Sequence, residues 1–152
     1  MGSAHVRGTS NGIDGVGVGA EGPVSMLRFG LEAVYERSRE TTESARRSVF
    51  RYDTTARIGL VSLIREQRCP TCVGMPWVEL GPAAGLGLGL ALTDSSDVVG
   101  HAFAATWIDV RLSRASSHPV LRIQMQRDAY SGDLVGGTQV VVGLGYINWK
   151  NL

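Results

Sequence analysis

One stretch near the middle of the chain has the clearest pattern of hydrophobic and polar positions. From residue 48 to residue 64, apolar or small side chains alternate with charged, small polar or glycine positions. A repeat of two residues is the period of a β-strand, because successive side chains point to opposite faces. The pattern therefore predicts one strand over residues 48–64. Such a strand is long enough to cross a bilayer at a tilt, which takes roughly 9–11 residues.

The same alternation recurs along the rest of the chain. It predicts strands near residues 16–21, 24–37, 77–92, 101–112, 121–128 and 139–146, and residues 2–9 form a weaker first strand or a disordered end. Turns are predicted at Asn11-Gly12 and Gly22-Pro23, where the residue types suit tight turns. Residues 65–76 form a loop, and residues 94–99 and 115–119 form polar turns.

Residues 24–37 also allow a helix. Arg28, Glu32 and Glu36 recur at a spacing of four, which would place them on one helical face. Gly30 and the aromatic residue Phe29 favour a strand instead. On that interpretation residues 38–47 form a polar loop.

Eight amphipathic strands in one chain predict an all-β fold. A meander of this kind closes most simply into an antiparallel up-and-down β-barrel, which removes exposed strand edges. The length of 152 residues and the uniform composition indicate a single domain over residues 1–152. We call the apolar positions of the alternation the apolar set, and the positions between them the polar set. In a soluble barrel the apolar set would point inward, whereas in a membrane barrel it would point outward to lipid.

The residues on the polar set favour the membrane assignment. Gly81, Gly85, Gly87 and Gly89 would leave room in a narrow lumen, whereas on a solvated face they would cover nothing. Trp77, Phe103 and Trp107 share this set and suit a packed interior. Mixed charges also belong to it, with Glu36 and Asp128 among them, and could pair across the lumen. The predicted lumen network is Arg28, Glu32, Arg51, Asp53, Arg57, Glu79, Asp109, Arg111 and Arg122.

Composition and charge exclude some function classes. With 15 Lys and Arg against 14 Asp and Glu, the chain lacks the basic surplus typical of nucleic-acid binding. It has no run of about 18 apolar residues and hence no predicted transmembrane helix. The first residues lack a secretory signal pattern. Either the protein is cytoplasmic or this is a mature chain, and the inverted barrel favours the second interpretation.

Two further features bear on a membrane assignment. If both chain ends lie on the periplasmic side, aromatic residues are expected at the two membrane–water boundaries. The outer boundary would have Tyr35, Phe50, Tyr52 and Tyr130, and the inner boundary would have Phe29, Tyr146 and Trp149. Arg127 interrupts the apolar face of its strand. This predicts that Arg127 lies beyond the apolar band or at a bulge.

The strand pattern from about residue 16 to residue 149 resembles the small outer-membrane β-barrels of the OmpA/OmpX type. The resemblance is sharpest at Val142-Gly143-Leu144-Gly145-Tyr146, which is similar to the last strand of that family. That family usually ends on an aromatic residue, whereas here Asn148-Trp149-Lys150-Asn151-Leu152 continue the chain. The resemblance implies a bacterial outer-membrane barrel of a Gram-negative cell envelope, surrounded by the lipid bilayer. It implies much less about activity. Our first hypothesis is a structural or surface-interaction role without enzymatic activity, in which polar loops such as residues 38–47 would be available to external partners.

The remaining motifs give weaker predictions. Cys69 and Cys72 form one Cys-x-x-Cys pair, which suits a local disulfide or two inert thiols, with a redox pair or half a metal site as alternatives. His101 is expected in the lumen and His118 in a turn. Ser116-Ser117-His118 is a poor catalytic candidate, because adjacent side chains diverge. We therefore expect no catalytic set, metal or cofactor.

Two alternative functions stay open from the sequence. A soluble barrel could bind a small apolar ligand, with the apolar set lining a cavity. A lipid-modifying membrane enzyme would need a Ser, His and acid constellation that the sequence does not reveal. A helix-containing α+β domain is a further alternative for the fold, and the binding residues for any ligand cannot be assigned.

Overall fold

The fold is an all-β arrangement of strands, seen in a computed structural model that describes residues 2–9, 13–24, 27–38, 48–62, 65–66, 75–92, 96–113, 117–131 and 136–148. The long strands are β1 Gly2–Thr9, β2 Ile13–Val24, β3 Leu27–Ser38, β4 Ser48–Ile58, β8 Val78–Leu92, β9 Ser96–Arg111, β10 Ser117–Tyr130 and β11 Thr138–Asn148. Three short strands lie between β4 and β8, namely β5 Val61–Ser62, β6 Arg65–Glu66 and β7 Met75–Pro76. Within these ranges, no helix is long and apolar enough to span a membrane.

The eight long strands form a closed antiparallel barrel. Neighbours along the sheet follow the order β4, β3, β2, β1, β11, β10, β9 and β8, and β8 also pairs with β4. Every long strand therefore has a hydrogen-bonded partner on both sides, which removes the free edges of an open sheet. This confirms the predicted up-and-down β-barrel. The weakly patterned β1 is held between β2 and β11.

The strand register shows how strongly the barrel is staggered. Starting at Val6, one direction around the barrel reaches β9 at Val98, through Val16, Tyr35, Phe50 and Leu90. The other direction reaches β9 at Ile108, through Val142 and Ile123. After one complete circuit of the barrel, the row of paired residues is therefore displaced by about ten residues along β9. A stagger of this kind accompanies a strand tilt of roughly 35–45°.

The two faces of the barrel have opposite polarity. Leu86 and Leu88 on β8 are each 67 % exposed, whereas Arg51 and Asp53 on β4 are 0 % exposed. The other long strands whose side chains are described repeat this alternation, with mainly apolar residues outward and charged, polar or small residues inward, together with several valines and two aromatic side chains. The apolar set therefore covers the outside of the barrel, and the charged set fills its interior.

Most of the predicted boundary aromatics face outward. Tyr35, Phe50, Tyr52, Phe29 and Tyr146 are all exposed on the outer surface. The assignment of Tyr130 to that surface is wrong, because its hydroxyl bonds to Arg51 and Glu36 in the interior. Trp149 lies outside the described residues.

Glycines on β8 make room for the interior side chains. A Cβ atom on Gly87 would overlap the carboxylate of Asp53, and one on Gly85 would overlap the ring of Phe103. Phe103 and Trp107 are both buried. The row of glycines on the polar face thus has the space-making role that the sequence indicates.

Replacement of Gly87 by leucine tests this close packing. We expect Gly87→Leu to lower the free energy of unfolding by about 1–3 kcal/mol, because the side chain must displace Asp53 and its partners. Equilibrium urea unfolding of the refolded barrel measures the change. In the control, Gly22→Leu, the new side chain meets open space on an exposed position and should have an effect within about 0.5 kcal/mol. Equal effects of the two substitutions would contradict the packed interior.

The prediction of one regular strand over residues 48–64 is wrong in its second half. β4 ends at Ile58, and the pairing with β8 shifts from Arg57↔Ala83 to Val61↔Leu80. This shift accommodates one extra residue, which is the signature of a β-bulge. Leu60 donates its backbone N–H to Leu80 O at 3.1 Å within it. The alternation therefore changes face between Leu60 and Val61, which are both exposed.

Several other boundaries also differ from the sequence predictions. β9 already begins at Ser96 and β10 at Ser117, so the predicted turns at residues 94–99 and 115–119 are shorter than expected. The long neighbouring strands β8 and β11 provide hydrogen-bonding partners for these additional residues. The helical alternative for residues 24–37 is wrong, because β3 pairs on both sides. The predicted loop at residues 39–47 lies outside the described residues.

Candidate functional site

The charged interior of the barrel is the candidate site. We call the part of the interior around Arg122 of β10 the lower half, and the part around Arg51 of β4 the upper half. Arg122 bonds to carboxylates on both sides. Arg122 donates two hydrogen bonds of 2.7 Å to Asp109 on β9, and bonds of 2.7 and 3.2 Å to Glu21 on β2. β2 and β10 are not neighbours in the sheet. The guanidinium therefore joins opposite parts of the wall through the lumen.

Arg57 of β4 joins the same cluster from another side. It donates to Glu21 and to Glu32, each at 2.8 Å, and to the Thr55 hydroxyl at 3.0 Å. It also lies 3.2 Å from the side-chain oxygen of Gln124. Because Glu21 accepts from both Arg57 and Arg122, it lies at the centre of this half. Multiple charge-assisted bonds are what buried charges require.

Arg28 and Trp107 extend the lower cluster. Arg28 pairs with Asp109 at 3.1 Å and with Glu79. The guanidinium carbons of Arg28 and Arg122 lie 5.2 and 5.5 Å from the centroid of the Trp107 ring, within cation–π range. The indole N–H donates to the backbone oxygen of Pro82 at 3.0 Å. The ring thus packs against two cations, the buried Arg122 and the half-buried Arg28.

Arg51 organises the upper half of the interior. It pairs with Asp53 on its own strand at 2.8 Å and with Glu36 of β3. It also donates to the Tyr130 hydroxyl at 2.7 Å, and that hydroxyl donates to Glu36 at 2.6 Å. These residues come from β3, β4 and β10. Hence this half also connects strands that are not neighbours.

His101 of β9 lies between two carboxylates. Its Nδ1 is 2.9 Å from Asp53 Oδ1, and its Nε2 is 2.8 Å from Asp128 Oδ1. Each ring nitrogen is thus within hydrogen-bonding distance of one carboxylate oxygen. The Tyr130 ring packs against it, with a distance of 4.7 Å between ring centroids. The expected lumen position of His101 is confirmed.

Two glutamines connect the halves. Gln124 accepts from Arg57 in the lower half and donates to Gln126 at 2.6 Å, and Gln126 donates to Asp128 at 2.7 Å in the upper half. Both glutamines are buried. The network is therefore continuous along the barrel axis, and at these levels side chains fill the lumen.

The structure brings the predicted lumen residues together. Arg28, Glu32, Arg57, Glu79, Asp109 and Arg122 belong to the lower cluster, and Arg51 and Asp53 belong to the upper one. Arg111 is buried and stacks over the Trp77 ring, with its guanidinium carbon 5.4 Å from the ring centroid.

Sequence reasoning missed Glu21, Gln124, Gln126, Gln139 and Tyr130 as members of the network. Glu21 has the same alternation as the inward glycines of β2, so the pattern contained a signal for it. Gln124, Gln126 and Gln139 carried the same signal, because each alternates with outward residues on its strand. The signal at Tyr130 was ambiguous, because a tyrosine near a strand end also suits a membrane boundary. Gln139 reaches Glu36 at 3.2 Å across the lumen.

Other candidate chemistry is not assembled in the described residues. Across the ranges given above, no group of three His, Cys, Asp or Glu side chains is arranged to hold a metal ion. Cys69, Cys72 and Ser116 lie outside those ranges. An apolar interior cavity of the kind a soluble ligand-binding barrel would need is not seen among the described residues, because their apolar set faces outward.

The chain was compared with protein-family models, curated proteins and solved structures, and none of them matches it.

Proposed function

We propose that this protein is a β-barrel of the bacterial outer membrane, in the cell envelope of a Gram-negative organism. The observation that carries the proposal is the apolar outer surface of the closed barrel. Monomeric soluble proteins rarely expose contiguous apolar patches beyond a few hundred Å². Here bulky apolar side chains are exposed on strands around the barrel, from Val16 on β2 to Leu144 on β11. A surrounding hydrocarbon phase would bury them all.

The charged interior of the barrel also supports the proposal. Buried charges are costly unless they are paired, and here they are paired into one network. A lumen filled in this way suits a structural or surface-interaction role better than a channel. We propose no enzymatic activity. As in barrels of the OmpA/OmpX type, the partners would be the lipid bilayer and an external molecule that meets polar segments between the strands.

Detergent dependence tests the membrane assignment. We expect the folded protein to remain monodisperse in detergent micelles and to aggregate when detergent is removed, unless lipid vesicles are supplied. Light scattering together with vesicle flotation measures both behaviours. The reason is that exposed leucines such as Leu86 and Leu88 must be covered by detergent or lipid. A folded protein that stays monodisperse in plain buffer would overturn the proposal.

A further inference from the structure

The outer surface contains a furrow between rows of larger side chains. Its floor is formed by Gly100 and Ala102 on β9 and by Ala129 on β10, which lies opposite Ala102. Leu86 and Leu88 of β8 form one side, since they pair with Ala102 and Gly100. Small side chains next to leucines thus leave an apolar depression that runs along β9.

Polar groups lie at one end of this furrow. Ser131, which follows β10, accepts a hydrogen bond from the Gly100 N–H at 2.7 Å and donates its own backbone N–H to Gly100 O at 2.9 Å. This end leads toward the connection between β10 and β11. The opposite direction leads along Ala104 toward the middle of the apolar band. The furrow therefore has one polar end and an apolar remainder.

An exposed cation adjoins the furrow. Arg127 of β10 faces outward. In the strand register it lies opposite Ala104, at the middle of β9, and opposite Thr138 on β11. The pairing of β10 is regular on both sides here, so the predicted bulge at Arg127 is wrong. Among the described residues, none makes a hydrogen bond or ion pair with Arg127. The apolar outer face thus carries a cation without a described partner.

We propose that the furrow and Arg127 together bind one anionic phospholipid of the surrounding bilayer. One acyl chain lies along Gly100, Ala102 and Ala104, and the lipid phosphate is bound by the Arg127 guanidinium. Charge complementarity selects this occupant. A lipid-facing arginine is unfavourable by roughly 2–4 kcal/mol at the bilayer midplane and by less near the boundary. Its side chain can extend toward the boundary, where a phosphate accepts two parallel hydrogen bonds. This inference rests on the proposed membrane function.

Native mass spectrometry of the barrel in detergent, with added phosphatidylglycerol or phosphatidylcholine, tests the site. We expect the unmodified protein to retain one phosphatidylglycerol about tenfold more tightly than phosphatidylcholine, as one charge-assisted contact predicts. Arg127→Gln should abolish this preference. Ala102→Leu should fill the furrow and weaken retention of both lipids. The matched controls are Arg37→Gln, at another exposed arginine, and Ala20→Leu, at an exposed alanine on β2; both should behave like the unmodified protein.

The outcomes separate this inference from the membrane proposal. If the unmodified barrel enters vesicles but shows no preference for phosphatidylglycerol, the lipid site is wrong and the membrane function stands. A preference that survives Arg127→Gln would also overturn the site. A dimer that Ala102→Leu disrupts would assign the furrow to a second copy of the chain instead. A protein that needs no detergent would contradict both proposals. If a variant fails to fold, the lipid preference of the unmodified protein still decides whether the site exists.

Discussion

Replacement of Arg122 by methionine is expected to lower the free energy of unfolding by about 3–5 kcal/mol. The substitution keeps much of the side-chain volume but removes the cation that bonds to Glu21 and Asp109. Removing one partner from a buried ion pair is strongly destabilising, because the carboxylates that remain stay buried with fewer bonds to cations. Equilibrium denaturation of the refolded barrel, followed by tryptophan fluorescence, measures the loss.

Two further variants separate loss of charge balance from loss of packing. The double variant Arg122→Met with Glu21→Gln removes one buried charge of each sign and so restores the net charge of the interior, and we expect part of the stability to return. The exposed Arg37 provides the control, since Arg37→Met should change the free energy of unfolding by less than about 0.5 kcal/mol. An Arg122→Met variant as stable as this control would contradict the network described for the interior.

Replacement of Leu86 by arginine is expected to cost about 2–4 kcal/mol of stability in a bilayer. Leu86 lies near the middle of β8 and faces outward, so an arginine there would meet hydrocarbon near the midplane. Leu92 ends the same strand, and Leu92→Arg should cost only about 0–1 kcal/mol, because it lies near the boundary. Reversible unfolding from lipid vesicles measures both variants.

The comparison of these two leucines distinguishes lipid from water. Both side chains are exposed on the barrel surface. On a surface that faces water, substitutions at exposed positions usually change stability by less than about 0.5 kcal/mol, whatever their height on the strand. Equal and small effects of Leu86→Arg and Leu92→Arg would therefore contradict a lipid-facing surface.

Much of the fold follows from the alternation of side chains along the sequence. A two-residue period shows which residues share a face of a strand. The glycines and the mixed charges on one face indicate that this face is inside. Arg57 and Glu32 were placed together on that basis, and they form an ion pair in the interior. The pattern stops being informative where one residue is added, as after Ile58, because a bulge exchanges the faces without a distinctive residue type.

The individual partners within the interior could not be predicted. Glu21 and Arg122 are 101 residues apart and come from strands that are not neighbours, so their contact depends on barrel closure and stagger. Those properties depend on the register of all eight strand pairs together. The position of Tyr130 was misjudged for a related reason. An aromatic residue near a strand end suits both a membrane boundary and a lumen, and its interior hydrogen bonds decide between them.

Spin labelling along β8 distinguishes a lipid-facing outer surface, as we propose, from one that faces water. Single cysteines at Leu86, Leu88 and Leu92, in a Cys69→Ser and Cys72→Ser background, carry the label in refolded barrels in vesicles. We expect labels at positions 86 and 88 to collide often with oxygen and rarely with a water-soluble nickel complex, and we expect nickel collisions to rise at position 92. Frequent nickel collisions at all three positions would contradict a lipid-facing surface.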